Sequence, residues 1–396
     1  MTQNFPSLVG DMVMADQGAQ ISNLNLYATS IDKRLQQVDY TYNIRGWMTD
    51  INNVDAPTVD NKLFNFRIKY NGAIEGSSTS QGVTALYNGN ISQTTWRTLS
   101  ADSDTDKRSY GYQYDALNRL EAAYSYKGAT LTQLDKYGLQ GIDYDKNGNI
   151  NTLLRYGYTA SATEIMDQLT YSYKGNQLQN VSDLSTNSIK NEGFYDGNIT
   201  QNDDYEYDVN GNMIIDRNKG ISNITYNHLN LPVVVTINTP DDGQGVAQQG
   251  AIQYVYDATG VKLEKQVSKQ SQSIVFTRYA GGYIYELANG VEALKMFSHP
   301  EGYIEPGTTL GDPAYQYVFN YTDHIGNVRL TYSDSDGDGT IKSETEIISE
   351  KHYYPFGLQH SGYNDVVTSN SNSTAERFMF GGKENGEELG LDWYDL

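Results

Sequence analysis

The densest group of ligating side chains is Asp334-Ser-Asp336-Gly-Asp338-Gly339-Thr340-Ile341. Carboxylates at loop positions 1, 3 and 5 can converge on one hard cation, Gly at 6 permits a sharp turn, and Thr340 at 7 can offer its backbone carbonyl, as at the opening of an EF-hand calcium loop. Position 12, where a bidentate Glu would close such a loop, is Thr345, flanked by Glu344 and Glu346. The flanking patterns are strands rather than helices. Asp334, Asp336, Asp338 and Thr340 are therefore the candidate calcium ligands, and a solvated acidic hairpin tip is the alternative reading of the same residues.

A second constellation, Asp323, His324 and Arg329, has the types of an acid, a base and an anion clamp. A structural role suits it better: Asp323 and Asn327 organise a turn around Gly326, with His324 and Arg329 bonding across strands. The five His residues, at 228, 299, 324, 352 and 360, show no zinc-binding spacing. No nucleophile elbow or P-loop is present. Gly243-Gln-Gly245 with Gly250 follows Pro240-Asp-Asp without a βαβ context, so it reads as a flexible hairpin loop. Trp47, Trp96 and Trp393 could stack on glycans, although ring packing between strands accounts for them. No catalytic or cofactor-binding residue is assigned, and no enzyme activity is expected.

The elements carrying these residues come from a repeat. Tyr112–Leu120 (YQYDALNRL), Ile142–Ile150 (IDYDKNGNI), Tyr205–Met213 (YEYDVNGNM), Ile224–Pro232 (ITYNHLNLP) and Tyr254–Leu263 (YVYDATGVKL) share one pattern, with weaker copies at Tyr40–Met48, Leu86–Ile91 and Tyr171–Leu178. The marker residues Asp115, Asp145, Asp208, Asn227 and Asp257 are spaced by 30, 63, 19 and 30 residues, and Lys174 roughly halves the longest gap. Tyr-x-Tyr places two rings on one face of a strand, and the following Asp or Asn starts a turn by accepting backbone N–H groups. Gly148, Gly211 and Gly260, or Asn118 and Asn230 where Gly is missing, stand where the reversal needs a positive φ. Each copy is a strand, a turn and a strand, and only stacked copies can bury their Tyr rows.

Composition agrees with an all-β chain. Tyr occurs 34 times against 10 Phe and 8 Pro in 396 residues, and a mean hydropathy of -0.60 suits a thin wall better than a solid core. A net charge of -21, from 49 acidic and 28 basic residues without a basic cluster, argues against nucleic acid and anionic lipid as partners. The absence of Cys excludes disulfides and Cys-ligated zinc. No apolar run is long enough to insert directly into a membrane, and the first residues carry no signal peptide.

These repeats resemble the YD repeats of RHS proteins, bacterial shells related to toxin-complex C components and to teneurin shells. Tyr321–Leu330 (YTDHIGNVRL) is similar to the DHLG-x-x-R-L signature that opens the RHS repeat-associated core. Tyr353–Leu358 (YYPFGL) and Arg377–Tyr394 (RFMFGGKENGEELGLDWY) are similar to its next two motifs, in the same order. Asn43–Asn52 and Asn223–Pro232 look like versions common in Bacteroidetes members.

The resemblance implies a curved antiparallel YD-repeat sheet over 1–320, spiralling into part of a hollow shell, and an RHS repeat-associated core over 321–396. It also implies a C-terminal segment, often a toxin, held inside and in many members released by aspartyl autoproteolysis. The chain ends at Leu396 before that cleavage motif, and its only Asp-Pro, Asp312-Pro313, lies upstream of the core. The expected function is to form part of the wall that encloses and delivers an effector absent from this chain. The expected partners are that effector or the rest of the shell, together with a secretion apparatus, at a secreted or cell-surface location. A cell-surface binding shell recognising glycans or a partner protein is the alternative.

Overall fold

The computed structural model describes residues 2–6, 34–56, 62–99, 106–158, 163–197, 203–239, 248–307, 314–362 and 372–394. Among these, strands numbered β1 to β27 in chain order form antiparallel sheets of 12 and 13 strands and a two-stranded hairpin. Nearly every strand pairs with its neighbour in sequence. The exception is β8 (Gln133–Leu134), which folds back on β7 (Leu120–Lys127) so that β7 also meets β9 (Leu139–Tyr144).

Each Tyr-Asp copy makes the same turn. Asp115 Oδ1 accepts the N–H groups of Leu117 at 2.8 Å and Arg119 at 2.9 Å; Asp145 takes those of Asn147 and Asn149, and Asp208 those of Asn210 and Asn212. Asn118 and Asn230 adopt φ of 64° and 58°, as their place in the repeat predicts.

The tyrosines do more than bury rings. Tyr70 Oη donates to the Met48 carbonyl, Tyr114 to Ile91, Tyr144 to Leu120 and Tyr173 to Ile150. Tyr207 donates to Leu178, Tyr226 to Met213 and Tyr256 to Pro232. All these bonds are between 2.5 and 3.1 Å. Each acceptor follows the turn of the preceding hairpin, so the hydroxyls form a ladder along one rim. Phe could fill the same space but could not make the rung.

A second regularity bends the strip. In all of these hairpins but that of Tyr70 the register slips at the residue just before the turn: Gln113 faces Ala122 but Tyr114 faces Leu120, and Glu206 faces Ile215 but Tyr207 faces Met213. One extra residue on the returning strand is a β-bulge, which bends the strand and strengthens its twist. Repeating it hairpin after hairpin curves the sheet.

The two sheets continue one another. Between β12 (Gln177–Asp183) and β13 (Tyr205–Tyr207), the Asp204 N–H donates to Gln179 O at 2.7 Å and its carboxylate accepts the Val181 N–H at 2.8 Å. The Tyr207 rung crosses the same seam. The far end then returns to the near one: Tyr321 at the end of β23 (Tyr315–Thr322) donates to Gln36 Oε1 in β2 (Arg34–Tyr42), 285 residues away, and packs its ring at a tilt against Phe64. β23 also spans the expected boundary between 320 and 321. The result is a curved β-shell.

Inside the curl lie residues 351–362 and 372–394. Leu389 and Leu391 pack on Ile221, Ile224, Val235, Ile237, Ile252 and Val267, while Ala375 joins Ile284, Met296, Tyr303 and Val318. Tyr354 joins the largest cluster, which spans the first sheet and β23 to β25 (Ile347–Glu350). Among the described residues, no helix is long and apolar enough to cross a membrane.

Candidate functional site

The DHIGNVRL segment sits where the curl closes. Asp323 repeats the turn geometry, accepting the N–H groups of Ile325 and Asn327, both at 3.1 Å. The register slip here falls between Tyr321, facing Leu330, and Thr322, facing Val328, which makes Arg329 the extra residue of the bulge. The equivalent Glu121 and Leu263 of other hairpins are exposed, whereas Arg329 is only 5% exposed. A bulge re-aims its side chain. Here the guanidinium lies 5.4 Å from the Phe64 ring and 5.2 Å from the Trp96 ring, both on the first sheet.

Its N–H groups reach three further partners: Asp323 Oδ2 at 3.3 Å, the Lys351 carbonyl at 3.0 Å and His352 Nδ1 at 2.9 Å. His352 Nε2 is 2.7 Å from Glu350, which also bonds Thr98. Arg329 thus joins both sheets and the enclosed segment. His324 stacks on Phe66 at 5.6 Å rather than bonding across strands.

Two buried imidazoles complete this centre. His360 stacks on Tyr137 with ring centroids 4.0 Å apart and shares a hydrogen bond with the Tyr110 hydroxyl at 2.8 Å. Burial drives the His352 pKa down to about 4 against the opposing pull of Glu350, and drives His360 well below the usual imidazole range.

The enclosed segment is anchored by ions as well as by apolar contacts. Lys265, at an inward position of β18 (Lys262–Lys269) and 2% exposed, meets Glu384 at 2.6 Å and Glu388 at 2.7 Å. Lys262 and Tyr279 also bond Glu384, and Arg377 bonds Glu388 at 2.6 Å. Burial alone would raise the Glu384 carboxyl, but Lys265 and Lys262 overcome it and hold the pKa at about 2. Sequence reasoning did not find this cluster. The available signal was Lys265 standing in phase with the buried Val267.

In the acidic loop, the carboxylates of Asp334, Asp336 and Asp338 offer oxygens within 4.8 Å of one another. The Lys342 ammonium bridges Asp336 and Asp338. Glu346, rather than Thr345, turns into the loop, accepting the N–H groups of Ser335 and Lys342, each at 2.8 Å. Thr340 is exposed and donates its N–H to Asp338. The three carboxylates could hold a hard cation, with Lys342 as its competitor. Trp96 and Trp393 are packed against neighbours in the clusters, and Trp47 lies 5.1 Å from Tyr70. Gly243 and Gly245 lie outside the described residues, and Gly250 is in β17 (Gln248–Tyr256).

Neither a scan against protein-family models nor a search of curated proteins finds a match. Among solved structures the chain is similar to the crystal structures of TcdB2-TccC3 and of TcdB2-TccC3 without its hypervariable C-terminal region, each at 16% identity and a TM-score of 0.33. The alignments cover 97% of this chain and 21% and 20% of those chains, so it spans about a fifth of their length.

Proposed function

We propose that this chain is a wall segment of an RHS-type shell that encloses and delivers an effector belonging to the same toxin system. The observation that carries this reading is the placement of residues 372–394 inside the curl, where Glu384, Leu389 and Leu391 face the inner side of the second sheet. A polypeptide continuing from there starts within the shell. The wall itself has no catalytic part in this reading. Its effector, its secretion apparatus and its secreted or cell-surface location belong to the same proposal.

The test is a protease-sensitive peptide appended after Leu396, compared with the same peptide appended before Met1. Enclosure predicts slow cleavage of the C-terminal peptide and fast cleavage of the N-terminal one. Equal, fast cleavage of both would refute enclosure.

A further inference from the structure

Strands β20 (Tyr283–Ala288), β21 (Val291–His299), β22 (Gly302–Pro306) and β23 of the second sheet turn two different faces outward and inward. Ile284, Met296, Tyr303 and Val318 lie on the face that packs on Ala375 of the enclosed segment. Tyr283, Phe297, Ile304 and Tyr317 stand opposite one another on successive strands and share the other face. Among the described residues, β2 covers one end of that face. We propose that its open part docks a second copy of this chain, patch against patch, a role that goes beyond the wall function and does not depend on enclosure.

Continuity with a seam already built into the fold is the first support. Phe319 and Tyr321 follow Tyr315 and Tyr317 on the same face of β23, and both are buried in the cluster that holds Leu35 and Val38 of β2. The first sheet therefore already packs on this face, sheet on sheet. From that seam the rings run on. Phe319 stacks on Tyr317 with centroids 6.5 Å apart, Ile304 stands between Tyr317 and Phe297 in register, and Phe297 meets Tyr315 at 6.1 Å and stacks on Tyr283 at 4.9 Å. Past Phe319 the cover ends: Tyr317, Tyr315 and Tyr283 are 37%, 52% and 44% exposed. A contiguous apolar patch left open beside a packed seam marks a contact surface.

Charge and symmetry name the occupant. The open patch of Tyr283, Phe297, Ile304, Tyr315 and Tyr317 has no charged side chain, on a chain with a net charge of -21. Two copies repel each other least when they meet there. Other exposed apolar residues, such as Ile44, Leu117, Val209 and Leu229, stand singly at turns and offer no such sheet face. A second copy presents the same uncharged surface, and a two-fold axis sets it against itself. Tyrosine suits this self-pairing, because its hydroxyl both donates and accepts while its ring is buried.

Size exclusion with light scattering on the full chain tests the proposal, at loading concentrations from ~1 to ~100 µM in ~0.15 M salt. The mass should rise with concentration from 44.3 kDa towards twice that value. Tyr283→Lys combined with Tyr317→Lys sets like charges across the axis and should weaken the dimer by about a hundredfold. Val209→Lys, at an exposed turn away from the patch, should leave the dimer unchanged. Urea midpoints of the variants separate lost docking from lost folding, and Tyr315→Lys, at the most exposed of the three tyrosines, carries the same test if the double variant does not fold. A monomer at every concentration, a dimer that survives the patch variants, or a dimer that Val209→Lys weakens equally would overturn the proposal.

Discussion

Among the described residues of the repeat strip, 34–269, each hairpin after the first is tied to the one before it by a tyrosine hydroxyl reaching back 13 to 29 residues, and ladders of backbone bonds and turns closed by Asp or Asn join most of them. The enclosed segment, residues 351–362 and 372–394, has little strand among the described residues and is held by contacts such as Lys265 to Glu384, 119 residues apart, and Tyr354 to Tyr156, 198 residues apart. The strip can therefore lose one rung and keep its neighbours. The segment depends on a few buried groups at once, and failure at one of them should be felt across the closure.

Lys265→Met should give the largest effect. It leaves Glu384 and Glu388 as buried carboxylates with reduced compensation, a loss on the order of 3–5 kcal/mol when a buried pair is broken from one side. Urea unfolding measures it. Adding Glu384→Gln and Glu388→Gln to that variant should recover part of the loss. A cost below about 1 kcal/mol for Lys265→Met would show that apolar contacts alone hold the segment.

Acid should act next, and on the closure before the strip. His352 has a folded pKa of about 4, below its unfolded value of 6.5, so the neutral ring stabilises the fold above pH 6.5 and that stability is lost as pH falls towards 4. The depression corresponds to about 3 kcal/mol. Arg329, Arg108 and Glu350 face this ring, and His360 titrates in the same direction. The turn carboxylates behave differently: Arg119 N–H lowers the Asp115 pKa and the Asn149 side chain lowers that of Asp145, so their contribution persists above about pH 4 and fades only below it. Stability measured from pH 7 to pH 3 should fall in two stages, and His352→Gln should flatten the first. A single fall confined below pH 4 would remove the histidines from the closure.

A rung of the strip should cost less. Tyr144→Phe removes the hydroxyl from the Leu120 carbonyl and leaves the ring, a change of about 1 kcal/mol. Tyr207→Phe removes the rung across the seam between the sheets and should cost at least as much, as read by chemical denaturation of both variants.

These differences follow the range over which each feature is written. The turns at Asp115, Asp145 and Asp208 were legible because donor and acceptor lie within four residues. The Tyr rows were legible as buried rings, but their acceptors depend on how hairpins stack, so the ladder was not. Arg329 could be placed in a structural turn, yet its cage of Phe64 and Trp96 rings arises only when the curl closes and the bulge turns the side chain inward. The positive φ of Phe356 and Leu389 left no signal, since neither residue type favours that region.

The acidic loop offers the smallest effect and the finest distinction. Asp334, Asp336 and Asp338 converge as a cation site would require, but Lys342 bridges two of them and Glu346 is committed to the loop's own N–H groups. Calcium must displace the ammonium and gains no bidentate Glu at position 12, so its affinity should be about 10⁻³ M or weaker. Lys342→Ala removes the competitor without touching a carboxylate and should tighten calcium binding several-fold in calorimetry, while Asp336→Asn on that background should abolish it. If Lys342→Ala binds no calcium either, the loop is a solvated hairpin tip whose negative charge is balanced by its own lysine.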